Sequence, residues 1–135
     1  MFFLILSAFQ PTLMPHLTQH GQLLLKKIIP HSLTRGVCVT KFTGARGKGG
    51  TSDASAEYVS FVKNLLESNG VLWQSGELGK VDAGGGGTVA MYIANLNVDV
   101  IDVGVPVLSM HSPYEIVSKI DTYMAYKAFK VFFTK

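Results

Sequence analysis

Apolar and polar positions along this chain sort into three short β-branched runs and three stretches with helical spacing. Val37 to Phe42, Val71 to Gln74 and Val98 to Val103 predict strands. The last of these, with Val98, Val100, Ile101 and Val103, reads as a strand buried on both faces. Asp53 to Ser68 predicts a helix with Tyr58, Phe61, Val62 and Leu65 on one face, and Thr88 to Asn95 a second with Val89, Tyr92, Ile93 and, just beyond, Leu96. A long last helix is expected from Pro113, with Val117, Ile120, Met124, Ala128 and Val131 facing the sheet. Strands alternating with helices imply an α/β layer sheet, parallel where helices make the crossovers.

The punctuation is informative. Ser112 can cap a helix, Pro113 suits its first position, and Glu115 sits three residues after the cap to close a capping box. Two glycine-rich loops, Gly44 to Gly50 and Gly84 to Gly87, each precede a predicted helix and so place free backbone N–H groups at a positive dipole end. Residues 1–35 do not follow this order: Pro11, Pro15 and Pro30 interrupt the apolar pattern, His16, His20 and His31 follow no face, and only Gln22 to Ile29 suggests an element. The expected organisation is a poorly ordered segment over 1–35 followed by one α/β unit over 36–135.

Composition narrows the partners. The chain's 135 residues, 47% of them apolar, suffice for one core and not for two ordinary domains. The net charge of +3 is spread too thinly for a nucleic-acid footprint, since Lys26-Lys27 and the Arg46/Lys48 pair are the only tight basic groups. Cys38, the one cysteine, allows no internal disulfide and no cysteine-based zinc site, points to a reducing compartment, and reads as a small buried side chain. Met1 to Ala8 is apolar but lacks a basic flank and breaks at Gln10 and Pro11, short of the roughly 20 residues a bilayer span needs. No membrane partner is expected, with a signal peptide as the alternative.

Candidate chemistry centres on Val105 to Glu115, where His111 stands between a strand end and a helix start, the edge at which open α/β sheets build their sites. By itself His111 is a metal ligand or a satisfied structural histidine, and no second ligand stands near it in sequence. The first glycine loop fails the phosphate-loop pattern, because Phe42 takes the first glycine position and Gly49 the final Ser/Thr position. Lys41, Arg46 and Lys48 could instead meet a carboxylate there, with Ser52 or Asp53 capping the next helix. At Gly84 to Thr88 the glycines allow close approach of a ligand or make a plain loop, and Thr88 offers a cap or a hydrogen bond.

Several segments in order resemble the C-terminal part of the aspartyl-aminopeptidase family of cytoplasmic-type dinuclear zinc exopeptidases. They are Lys41-Phe42-Thr43-Gly44, Ser52 to Glu57, Gly76 to Asp82, the four glycines with Thr88-Val89-Ala90, and Val103 to Pro106 through Met110-His111-Ser112-Pro113. The resemblance covers residues 36–133 and well under half of a full-length member. It implies a three-layer arrangement with a mixed, mainly parallel sheet flanked by helices, peptide substrates, two zinc ions and homo-oligomers. It further implies His111 as the last zinc ligand, Met110 as its neighbour, Gly86 and Thr88 in a loop beside the substrate, and Lys41 in the substrate pocket. In such enzymes the metal pair polarises the scissile carbonyl and activates a bridging water while a glutamate acts as general base. That glutamate and the earlier ligands belong upstream and are absent from this chain, so no catalytic residue is assigned and the isolated fragment is expected to be inactive.

Family members carry, before this region, a segment of the type Ile-Ser-Ala-Asp-Val-Asn-Ala-Ala-Phe-Asp-Pro-Thr, whose first aspartate binds zinc. Shifting the reading frame of the codons over residues 9–35 can restore that segment, and the frame agrees again at Gly36, so residues 9–35 read as a frameshifted stretch with Thr12 at the ligand position. Two competing functions remain. One is a non-catalytic remnant that associates with intact subunits through a sheet edge and the aromatic last helix, and the other an anion- or nucleotide-binding module built on the glycine loops.

Overall fold

The β-branched runs pair into one mixed sheet. The computed structural model describes residues 2–9, 32–44, 51–76 and 88–134. Strand β1 (Phe2–Phe9) runs parallel to β6 (Asp99–Leu108) in a register from Phe2↔Asp99 to Phe9↔Pro106. Strand β2 (Val37–Thr40) pairs antiparallel with the other side of β6 and parallel with β5 (Trp73–Ser75), giving the order β1-β6-β2-β5. Two short strands, β3 (Phe42–Thr43) and β4 (Ser52–Asp53), make a separate antiparallel pair, and β7 (Ile116–Val117) pairs antiparallel with the end of β6. The expected α/β fold with a mixed sheet is present, and β2 and β5, joined through a helix, are parallel as anticipated. Sequence pattern gave no element at Phe2–Phe9, where the structure has its β1.

Helix α1 (Ala56–Ser68) connects β4 to β5. Its N-cap is Ser55, whose Oγ accepts the Tyr58 N–H at 3.2 Å, while Ser52 and Asp53, expected as caps, lie in β4. It ends at Gly70, whose φ of +62° lets the Val71 N–H reach back to the Leu66 carbonyl at 2.9 Å. Tyr58, Val62 and Leu65 are buried, as their spacing predicts, with Phe61 half-buried beside them, and Leu66 is buried as well.

One face of the sheet, carrying Val37, Val39, Ile101 and Val103, packs on Tyr58, Val62 and Leu66 of α1 and on Ala125 and Ala128 of the last helix. Because side chains alternate across a strand, the opposite face carries Cys38 and Thr40, with Asp102 in register opposite Thr40. Strand β6 is buried along Val100 to Gly104, as its composition demands. A fully buried aliphatic side chain contributes about 1.5–3 kcal/mol against at most about 1 kcal/mol for an exposed ion pair, so this packed face dominates the stability of the unit.

Three expectations are corrected. The last helix, α3 (Lys119–Phe133), starts at its N-cap Ser118 and not at Pro113, because Ile116 and Val117 are taken into the ladder with Val107 and Leu108. Its inward face is Asp121, Ala125 and Ala128, while Val117 and Ile120 are exposed and Met124 and Val131 half-buried. The reason is Asp121: its carboxylate accepts the Thr34 N–H at 2.7 Å and the Gly36 N–H at 2.8 Å, which pins the first helical turn inward, and the two alanines let the helix backbone come close. Helix α2 (Ala90–Ala94) buries only Ala90 and leaves Val89, Tyr92 and Leu96 exposed, so its predicted sheet-facing side meets solvent.

The turn held by Asp121 requires glycine. Gly36 has φ +87°, and a Cβ there would lie 2.0 Å from the Leu72 carbonyl oxygen, which accepts the Val37 N–H.

Candidate metal and substrate site

His111 sits in the loop 109–115 that joins β6 to β7, three residues past Leu108. Its backbone and that of Ser109 are left-handed, at φ +66° and +58°, conformations that cost of order 1–3 kcal/mol each in a residue other than glycine. The loop is held locally: the His111 N–H donates to Glu115 Oε1, the Ser112 N–H to the Ser109 carbonyl at 3.0 Å, and the Ser112 hydroxyl to the Tyr114 carbonyl. Glu115 and Ser112 therefore serve this loop and not the capping box expected of them. The imidazole is exposed and Met110 beside it is half-buried.

Thr88 begins the segment after the second glycine loop and is tied to the sheet. Its Oγ1 donates to Asp102 Oδ2 at 2.9 Å, accepts the Ala90 N–H at 3.2 Å, and lies 3.2 Å from Thr43 Oγ1. Its hydrogen-bonding capacity is thus used within the chain, whereas the N-cap of α2 is Val89, which makes no side-chain cap hydrogen bond. Asp102 and Thr43 are buried, and Thr40, opposite Asp102, has a buried hydroxyl without a hydrogen-bond partner among the described residues.

Lys41 precedes β3 and pairs with the Asp53 carboxylate, both side chains about half exposed (50% and 57%). The register Phe42↔Asp53 and the hydrogen bond from the Ala54 N–H to the Lys41 carbonyl at 2.9 Å bring them together. The carboxylate that Lys41 meets is thus its own chain's. Gly86, Arg46, Lys48 and most of both glycine loops lie outside the described residues.

The hydrogen bonds gather Thr43, Thr88 and Asp102 at mid-strand and leave His111 apart from them, since β6 runs about 20 Å from Asp102 to Leu108 before the loop begins. An exposed imidazole on a fixed loop past a strand end suits metal ligation, but it is one donor. Among the described residues no three His, Cys, Asp or Glu side chains converge to hold a metal ion.

Sequence reasoning missed Asp102 and Asp121. Each is an acid inside an otherwise apolar pattern, and that interruption was the available signal. Cys38 is buried as expected, and its thiol is pushed up from near 9 to about 12, first by burial and then by the negative charge of Asp121. Tyr58 is likewise raised from near 10 to about 12 by burial and by Asp99. Among the described residues no helix is long and apolar enough to cross a membrane.

Residues 27–133 match the profile of the aminopeptidase I zinc metalloprotease family, M18. A probable M18 family aminopeptidase 1 from Thermotoga maritima is 53% identical over 95 residues, 70% of this chain and 21% of the relative. Another from Borreliella burgdorferi is 51% identical over 98 residues, 73% of this chain and 21% of the relative. The crystal structure of the M18 aminopeptidase from Thermotoga maritima superposes with a TM-score of 0.81 at 41% identity, over 96% of this chain and 28% of that one. Aminopeptidase I from Clostridium acetobutylicum gives 0.81 at 37% identity, over 96% and 27%. The more distant Pyrococcus horikoshii TET1 peptidase, which can assemble into a tetrahedron or a large octahedral shell, shares the fold at a TM-score of 0.68 and 17% identity. The chain spans about a fifth of the length of the curated relatives it matches. With its profile match across β2 to α3 and its superposition on two solved members, the chain belongs to the M18 family of zinc metalloproteases.

Proposed function

We propose that this chain carries the last zinc ligand, His111, of a dinuclear aminopeptidase site that removes N-terminal residues from peptides, and that it does not turn over substrate alone. The observation behind the reading is the family match over residues 27–133, which includes an exposed histidine just past the end of β6. Bound zinc supplies a polarised carbonyl and a water of lowered pKa. The chain's own residues bind and orient: His111 presents its imidazole from a loop braced by Glu115, Met110 lines the approach, and Gly86 and Thr88 border the substrate. Thr88 is held for that task by Asp102. Lys41 reaches a substrate carboxylate by exchanging it for Asp53.

The reading extends to a cytoplasmic, homo-oligomeric full-length enzyme, and to residues 9–35 as a frameshifted stretch. Sequencing the coding DNA across the first 36 codons tests the last point, because a gene in which no shifted frame spells the family segment rules it out.

The functional test is an assay of the pure chain against peptides with an N-terminal aspartate, with and without added zinc. No turnover is expected. Turnover that disappears in His111→Ala would show a complete site in this chain and overturn the fragment reading.

A further inference from the structure

The end of α1 carries the one Asn-Gly dipeptide in the chain. Leu or Val follows Asn64, Asn95 and Asn97, whereas glycine follows Asn69. An asparagine in that setting is chemically labile: the next backbone nitrogen can attack the side-chain amide carbon, and a glycine offers no side chain to block the approach. Asn69 is exposed and borders a cavity of about 290 Å³ between α1 and α3, lined also by Leu65, Ser68, Val131 and Thr134, so water reaches its amide.

The closed turn holds the reacting groups apart. Ring closure needs the Gly70 nitrogen to eclipse Cβ about the Asn69 Cα–C bond, but at ψ +12° it lies nearly eclipsed with the Asn69 nitrogen instead. The Asn69 Nδ2 donates to the Leu65 carbonyl at 2.8 Å and to Ser68 Oγ at 3.3 Å, and the Gly70 N–H is committed to the Glu67 carbonyl at 3.1 Å. On the far side, the Val71 N–H reaches the Leu66 carbonyl at 2.9 Å and Lys127 Nζ donates to the Gly70 carbonyl at 3.1 Å. Attack therefore requires the turn to open, and opening breaks these bonds together.

We propose that Asn69-Gly70 is a deamidation site timed by opening of the C-terminal turn of α1, and that its product keeps the turn open. In the open turn the Gly70 nitrogen loses its proton to water and bonds to the Asn69 side-chain carbon, the bond from that carbon to Nδ2 breaks, and ammonia leaves. Water then splits the cyclic imide at either carbonyl, which leaves an aspartate or an isoaspartate at position 69. The new carboxylate cannot donate to the Leu65 carbonyl, and it sets negative charge at the negative end of α1, whose last turn carries no basic side chain.

The test incubates the full chain at mildly alkaline pH, folded and in denaturing urea, and follows each asparagine by peptide mapping with mass spectrometry. Asn69 is expected to convert ahead of the other three in urea and at least about tenfold more slowly in the folded chain. Hydrogen exchange at the Gly70 and Val71 amides is expected to be at least about fivefold faster in Asn69→Asp than in the wild type. Equal conversion in the folded and unfolded chain overturns the proposal, as does an Asn69 that survives in urea while the other asparagines convert. Gly70 and Val71 amides that exchange as slowly in Asn69→Asp as in the wild type overturn the claim that the product keeps the turn open.

Discussion

Single residues carry much of the architecture, and two of them are buried acids. Asp121 satisfies the N–H groups of Thr34 and Gly36, which stand at left-handed turn positions. Asp121→Ala leaves both donors without their partner and is expected to cost about 2–4 kcal/mol in urea unfolding. Gly36→Ala is expected to lose about 1–3 kcal/mol from backbone strain alone, before the clash with the Leu72 carbonyl is relieved. Cys38 and Tyr58 set the alkaline limit. Both groups ionise less readily when folded, so above pH 9 the unfolded chain releases protons that the native chain keeps until about pH 12. Their contribution is complete below pH 9 and is lost as pH rises through that window, which thermal melts at pH 7, 9 and 10.5 will show as a falling Tm. The same burial makes Cys38 inert to thiol reagents until the chain unfolds.

At the scale of elements, the decisive competition is over Ser112 to Val117. Local signals there spell a capped helix start, yet two β-branched residues paired with the end of β6 place the helix cap at Ser118. Ser118→Ala is therefore expected to destabilise by about 1 kcal/mol, and Ser112→Ala to stay within about 0.5 kcal/mol, in paired denaturant melts. The buried strands and α1 were legible because their periodicity and their burial have one cause, the packed face of Val37, Val39, Ile101 and Val103. The inward side of α3 was not, since an aspartate bonded to a turn 85 residues away in sequence overrode the pattern of large apolar residues. Strand β1 was hidden for a similar reason: its partner β6 lies almost a hundred residues on, and no local signal records a parallel pairing. Of the candidate site, His111 and Thr88 stand out by motif and resemblance, whereas Asp102, which holds Thr88, is masked by the valines around it.

For the whole molecule, a sheet with a packed face on one side and exposed apolar positions on α2, β7 and α3 has the surface of a unit that normally meets more protein. A chain spanning about a fifth of its curated relatives, with no three metal-ligating side chains gathered among its described residues, is expected to be catalytically silent until its counterpart is present. In that completed site His111 is proposed as a zinc ligand. The decisive quantity is the zinc content, by native mass spectrometry, of the complex between this chain and the Thermotoga maritima relative truncated to lack the segment that matches this chain, wild type against His111→Ala. Two zinc ions are expected in the wild type and at least one fewer in the variant. Equal zinc in the two complexes would contradict it.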